Sequence, residues 1–121
     1  MENCIFCKII KEEIPSYKIY EDDNIIAFLD INPISNGHTL IVPKNHVLDL
    51  ETISKDDLDY VNYGAKIVYQ ILLDKLHPLG LRVIQNNGSL QEVKHYHMHL
   101  IPSYKEKELI DVKAVYEILT K

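Results

Sequence analysis

The chain has 121 residues, 46% hydrophobic and 26% charged, which suits one globular domain spanning 1–121, because a second core would need roughly 100 further residues. These figures exclude a disordered chain, a collagen-like chain and a disulfide-rich miniprotein. The formal net charge is −5 and Arg82 is the only Arg, so the basic face of a general nucleic-acid binder is not expected.

In chain order, Cys4–Ile10 (CIFCKII) is a short apolar stretch expected to make a turn or two of helix before Pro15. Tyr17–Glu21 and Ile25–Leu29 are short extended runs separated by the polar turn Asp22-Asp23-Asn24, the spacing of a β-hairpin. Asn32-Pro33 and Asn36-Gly37 mark a loop, and Thr39–Pro43 (TLIVP) is an apolar run of strand length. Ser54, with Asp57 three residues on, resembles a capping box. Leu58, Val61, Ala65, Val68 and Leu72 then recur at helical spacing, and Pro78 and Gly80 predict an end near Leu76. Leu81–Gln85 reads as a strand, Asn86–Ser89 as a turn and Tyr96–Pro102 as a further strand, followed by an amphipathic helix from Asp111 through Leu119. The expected fold is α+β: a mainly antiparallel five-stranded sheet with one long crossover helix and short terminal helices. No apolar run approaches the ~20 residues of a membrane span. The first residues, Met1-Glu2-Asn3-Cys4, lack the basic and then apolar regions of a secretory signal, so a cytoplasmic location without membrane attachment is expected.

Six His stand against this acidic background, three of them in His95-Tyr96-His97-Met98-His99-Leu100. On a strand, alternate residues share a face, ~7 Å apart. His95, His97 and His99 would then line one face, with Tyr96, Met98 and Leu100 on the core side. A solvated histidine face is the bland reading, and strict alternation in so short a chain argues against it. Three functional readings remain. The imidazoles could hold a catalytic zinc, one could act as nucleophile or general base, or the row could bind an anion without turning it over. Imidazole suits nucleotidyl transfer because it keeps a free lone pair near neutral pH and forms a labile phosphoramidate. The nearest carboxylate, Glu92, precedes the cluster, so no adjacent group offers itself as the base of a metal site. A second motif is Cys4-x-x-Cys7, which in a reducing compartment is a metal half-site, a redox pair or two small buried hydrophobes.

His95–Ile101 (HYHMHLI) resembles the His-φ-His-φ-His-φ-φ signature of the histidine triad family, φ being apolar. CIFCKII, Glu13–Asp22, AFLDI (Ala27–Ile31), GHTLIVPKNH (Gly37–His46) and QNNG (Gln85–Gly88) extend the resemblance over almost the whole chain, closest to the nucleoside phosphoramidase-like branch. It implies that His97 attacks the α-phosphate of a purine nucleotide derivative and carries a transient nucleotidyl group. His99 would bond the phosphate oxygens with His38 beside them, and Asp30 would take the ribose hydroxyls. Phe6, Ile14, Phe28 and Ile31 would wall the base pocket, and Asn86 would contact the phosphate. By residue type alone the four apolar positions would sooner be read as core, Asp30 as a turn cap and Asn86 as turn chemistry.

One segment departs from the family pattern. Where relatives read Gly-Gln-Ser-Val, this chain has Leu90-Gln91-Glu92-Val93, in a turn about two residues shorter than expected. Gln91 and Glu92 thus occupy nucleotide-binding positions, but Glu92 brings negative charge where a hydroxyl would contact phosphate or leaving group, and neighbouring Lys94 is the candidate compensation. The resemblance also implies a closed structural zinc site of Cys4, Cys7, His46 and His95, leaving only His77 without a post. It implies a homodimer as well. The alternatives are a dinucleoside polyphosphate hydrolase, a metal-activated hydrolase using the three alternating His, and a nucleotide-binding scaffold with little turnover.

Overall fold

The structure, a computed structural model, describes residues 3–121. In chain order the elements are α1 (Ile5–Ile10), β1 (Lys18–Glu21), β2 (Ile25–Leu29), β3 (Thr39–Pro43), α2 (Lys55–Leu76), β4 (Gly80–Gln85), β5 (Met98–Ser103) and α3 (Val112–Thr120), with a single 3-10 turn at Gly88–Leu90. The five strands form one sheet in the order β1-β2-β3-β5-β4. Every neighbouring pair is antiparallel, so the expected α+β fold is the one formed.

β2 and β3 read as unbroken apolar runs because both of their faces are covered. Ile25, Ala27, Leu29 and Ile41 point into a core shared with Val61, Val68, Leu72 and Leu76 of α2 and with Val115 and Leu119 of α3. The intervening Ile26, Phe28, Leu40 and Val42 form a smaller cluster with Phe6 and Ile9 of α1. α2 therefore lies over one face, and the six-residue α1 lies over the other.

α2 starts where the capping signature predicts. Ser54 Oγ accepts the Asp57 N–H at 3.0 Å, and Asp56 and Asp57 sit in the first turn, where the helix dipole favours negative charge. It ends at Leu76, with His77 taking the left-handed conformation (φ 53°) before Pro78. Gly37 also has positive φ, 90°, and a Cβ there would lie 2.8 Å from a Leu76 methyl and 2.9 Å from a Leu72 methyl. Only glycine lets the chain enter β3 this close to α2, and the next residue is His38.

Four strand boundaries differ from expectation. β1 starts at Lys18 rather than Tyr17 and β5 ends at Ser103 rather than Pro102, each by a single residue. β4 begins at Gly80 and β5 at Met98 rather than Tyr96. The backbone before Met98 has left the ladder: the Tyr96 N–H bonds the Val47 carbonyl at 2.8 Å. The alternation of faces persists, since Tyr96, Met98 and Leu100 are all in the α2-side core, but His95 is carried away from the strand.

Candidate active site and metal centre

The triad emerges on the α1 side of the sheet, because His99 pairs with Leu40 on β3 and Ile84 on β4 and Leu40 belongs to the α1-side cluster. His97 is buried, and its Nδ1 lies 2.7 Å from the His95 carbonyl. A carbonyl only accepts, so Nδ1 carries the proton and the Nε2 lone pair is free. His99 has the opposite arrangement. The Ile34 N–H donates to His38 Nδ1 at 3.1 Å, so in neutral His38 the proton is on Nε2. That atom is 3.0 Å from His99 Nδ1, which must accept, leaving the His99 proton on Nε2. A lone pair on His97 and an N–H on His99 thus sit side by side, with ring centroids 5.1 Å apart.

The relay depends on uncharged rings, and burial supplies them. Burial, reinforced by neighbouring His97 and His38 and opposed by Asp30, pushes His99 down to about 4. Burial also pushes His38 down, against the pull of Asp30, whose Oδ2 is 3.6 Å from His38 Nε2. Phe6 packs edge-on against the His97 ring at 5.0 Å between centroids.

A cleft of about 370 Å³ opens over these groups, lined by Asp30, Asn32, Ile34, His38, Ile84, Asn86, Glu92, His97, His99 and Ile101. Asp30 Oδ1 holds the Asn32 N–H at 2.8 Å. Asp30, His38 and His99 donor atoms lie close enough together to hold a cation. However, with Ile34 N–H on His38 Nδ1, the Nε2 facing that point carries a proton and has no lone pair to give.

A second cluster lies at the foot of α1. Donor atoms of Cys4, Cys7, His46 and His95 lie within 4.8 Å of one another. Cys7 Sγ is 3.2 Å from His46 Nδ1, Cys4 Sγ is 3.4 Å from His95 Nδ1, and Cys7 Sγ is 3.6 Å from His95 Nδ1. Tetrahedral zinc with ordinary bond lengths would set sulfur and nitrogen ligands ~3.6 Å apart. The His95 Nε2 donates to the Pro43 carbonyl at 2.9 Å, turning its Nδ1 lone pair toward the thiols. Burial holds His95 at about 4, so this nitrogen is unprotonated. Burial, with the Cys4 contact, pushes the Cys7 thiol up, which a divalent cation would reverse by binding the thiolate. The donor set and spacing fit zinc.

The HIT domain, defined by the histidine triad, matches residues 11–106. The chain belongs to the histidine triad (HIT) family. It is 43% identical over 105 residues to protein hit of Bacillus subtilis, covering 85% of this chain and 72% of that one. It is 46% identical over 107 residues to a Saccharomyces cerevisiae protein named adenosine 5'-monophosphoramidase HNT1, covering 86% of this chain and 65% of that protein. A zinc-bound histidine triad protein from Mycobacterium smegmatis superposes with a TM-score of 0.90 at 29% identity, covering 98% of this chain and 91% of that one.

Within this HIT chain His38, His97, His99, Asp30, Asn86 and Glu92 converge on one cleft, while Cys4, Cys7, His46 and His95 converge on another point. A three-histidine metal site of His95, His97 and His99 is not formed, because His95 leaves the strand for the cysteines. Phe6 and Phe28, 5% and 4% exposed, do not line the cleft: they pack together in the α1-side cluster, with Ile14 against it. Ile31 is 71% exposed and outside the cleft as well. Gln91 is not a cleft residue either. It is buried, and its Nε2 donates to the Leu48 carbonyl at 2.6 Å, pinning the loop that leads to Tyr96. Lys94 makes no ion pair with Glu92: its Nζ is held by the Gly88 carbonyl at 2.8 Å. The cleft residues missing from the sequence expectation are Asn32, Ile34, Ile84 and Ile101. Ile101 follows His99 by two residues on the same strand, so the period-two rule already contained it. Ile84 enters through its register opposite His99, a long-range pairing with no local signal.

Proposed function

We propose that this HIT chain hydrolyses purine nucleoside 5'-phosphoramidates through a nucleotidyl group carried on His97 Nε2. The observation that carries the reading is the 2.7 Å bond from His97 Nδ1 to the His95 carbonyl, which leaves the opposite nitrogen as a nucleophile aimed at an open cleft. In the first step the Nε2 lone pair forms a bond to the α-phosphorus and the P–N bond breaks, its electron pair leaving with the amine, which takes up a proton. Water then attacks the same phosphorus, the P–Nε2 bond breaks back onto the ring, and one proton returns to solvent. The His99 N–H donates to a phosphate oxygen and steadies the charge that gathers there. His38 does not touch the phosphate but holds His99 in the tautomer this requires.

Asp30 accepts from the ribose hydroxyls, and Asn86 contacts the phosphate. The base lies against Ile31, with the Phe6–Ile14–Phe28 cluster behind it. Gln91 acts through Leu48, not on the nucleotide. Zinc, when bound by Cys4, Cys7, His46 and His95, supplies a closed structural tie without an open position for chemistry. The relationship to proteins named adenosine 5'-monophosphoramidase in Saccharomyces cerevisiae and Candida albicans supports P–N cleavage over the alternatives of dinucleoside polyphosphate hydrolysis and a scaffold with little turnover. We further propose a homodimer acting in the cytoplasm on small nucleotides, without nucleic acid or membrane. Among the described residues, no helix is long and apolar enough to cross a membrane.

The test is His97→Ala and His97→Asn on adenosine 5'-phosphoramidate. A fall in kcat of about 10³-fold or more is expected for both, and turnover close to that of the parent would contradict the mechanism.

A further inference from the structure

The charges that line the cleft are one-sided. Asp30 and Glu92 are there, and no Lys or Arg is. The nearest cation in sequence, Lys94, is held by Gly88, and among the described residues Glu92 makes no ion pair. The two carboxylates stand at opposite ends. Asp30 and His38 also line a small cavity toward Pro33 and Ile110 that excludes Glu92. Glu92 also lines a cavity of about 440 Å³ with Asn3, Cys4, Ile5, His46, Val93 and Lys94, which excludes Asp30. With Asp30 on the ribose, Glu92 is left at the end where the leaving group departs.

Which charge appears there depends on the bond that is cut. A P–N bond breaks readily once its nitrogen has taken up a proton, so positive charge develops on that nitrogen before it departs with the electron pair as a neutral amine. A phosphate that leaves a P–O–P bond develops further negative charge. A fixed carboxylate assists the first and opposes the second. The nitrogen bound to phosphorus is itself uncharged before cleavage, so ground-state attraction needs a second ammonium elsewhere on the leaving group. Glu92 is exposed, and its effect is therefore the modest one of a solvent-screened pair.

We propose that Glu92 is a specificity-determining residue that selects leaving groups carrying or developing positive charge, so that the favoured substrates are nucleoside phosphoramidates of diamine-like amines. This rests on the phosphoramidase reading of the same cleft and names the half of the substrate which that reading leaves open.

The experiment uses three adenosine 5'-phosphoramidates whose amines match in length and basicity but end in an ammonium, a hydroxyl or a carboxylate. The readout is the ratio of kcat/KM between the ammonium and carboxylate compounds, in the zinc-loaded parent, Glu92→Gln and Glu92→Lys. The parent should favour the ammonium compound by about fivefold or more at low salt, with the preference shrinking as ionic strength rises. Glu92→Gln should bring the ratio toward one, and Glu92→Lys should invert it. A parent ratio at or below one, or a ratio unmoved by both substitutions, overturns the proposal while leaving the phosphoramidase reading intact. Failure of the parent to cleave even the neutral hydroxyl compound would refute that reading, and this proposal with it.

Discussion

Two histidines two residues apart are built as opposites, and the cause is the atom that each ring reaches first. His97 meets the His95 carbonyl, which demands a proton, and His99 meets His38 Nε2, which already has one. The sequence marked both rings but not their tautomers: that of His97 follows from the bend that brings it the His95 carbonyl, and that of His99 from His38 and Ile34, some sixty residues away in the chain. A pH dependence follows. His99, moved from 6.5 to about 4 by burial, is uncharged when folded, whereas the unfolded chain protonates it near its ordinary value. The stability it contributes is complete above that ordinary value and is lost as pH falls toward 4, since there the unfolded state binds the extra proton. Unfolding by urea at pH 7, 6 and 5 should therefore show the parent losing stability faster than His99→Asn. Equal slopes for the two would contradict the assignment. The apolar residues show the opposite limit of residue-level reading. Phe6 and Phe28 have the composition of a pocket wall and also of a core, and the face of β2 and the position of α1 decide for the core side.

At the scale of elements, most of the fold was readable because its signals are local. α2 announces its start with Ser54 and Asp57 and its end with Pro78, and its apolar stripe reappears as the buried set Val61, Val68 and Leu72. β5 was expected to start two residues too early, and the reason is chemical. The alternation of His95, Tyr96 and His97 is that of a strand, but pairing stops before Met98 so that His95 can turn to Cys4 and Cys7. The four candidate zinc ligands thus join three separate places: the N-terminus of α1, the segment after β3 and the segment before β5. A six-residue helix is too short to be stable alone, so α1 depends on the Phe6 and Ile9 contacts and would gain from a metal bound by these ligands. Zinc at 100 times its dissociation constant would add ~2.7 kcal/mol, worth roughly 8–16 °C in Tm for a chain of this size. Chelation, or Cys7→Ser, should lower Tm by an amount of that order and speed amide exchange in α1 before the rest. An unchanged Tm together with no zinc by elemental analysis would remove the metal from the account.

For the molecule as a whole, strand order was the part hidden from the sequence. β3 pairs with β5 across an intervening helix and strand, a topology that local periodicity does not encode. It leaves β4 as an edge strand, carrying Val83 at 53% exposure between Arg82 and Ile84. An apolar residue on an open edge invites pairing with a second copy, which agrees with the homodimer expected from the family. Light scattering should give twice the 14.1 kDa chain mass for the parent and the single-chain mass for Val83→Asp. A monomeric parent would contradict the dimer. The central claim is the covalent step, and the most direct measurement is acid-quenched mass spectrometry of the protein mixed with excess adenosine 5'-phosphoramidate. The covalent mechanism requires a transient adenylyl group on the peptide containing His97, absent in His97→Asn. Steady turnover with no such adduct at any quench time, or an adduct on another residue, would contradict it.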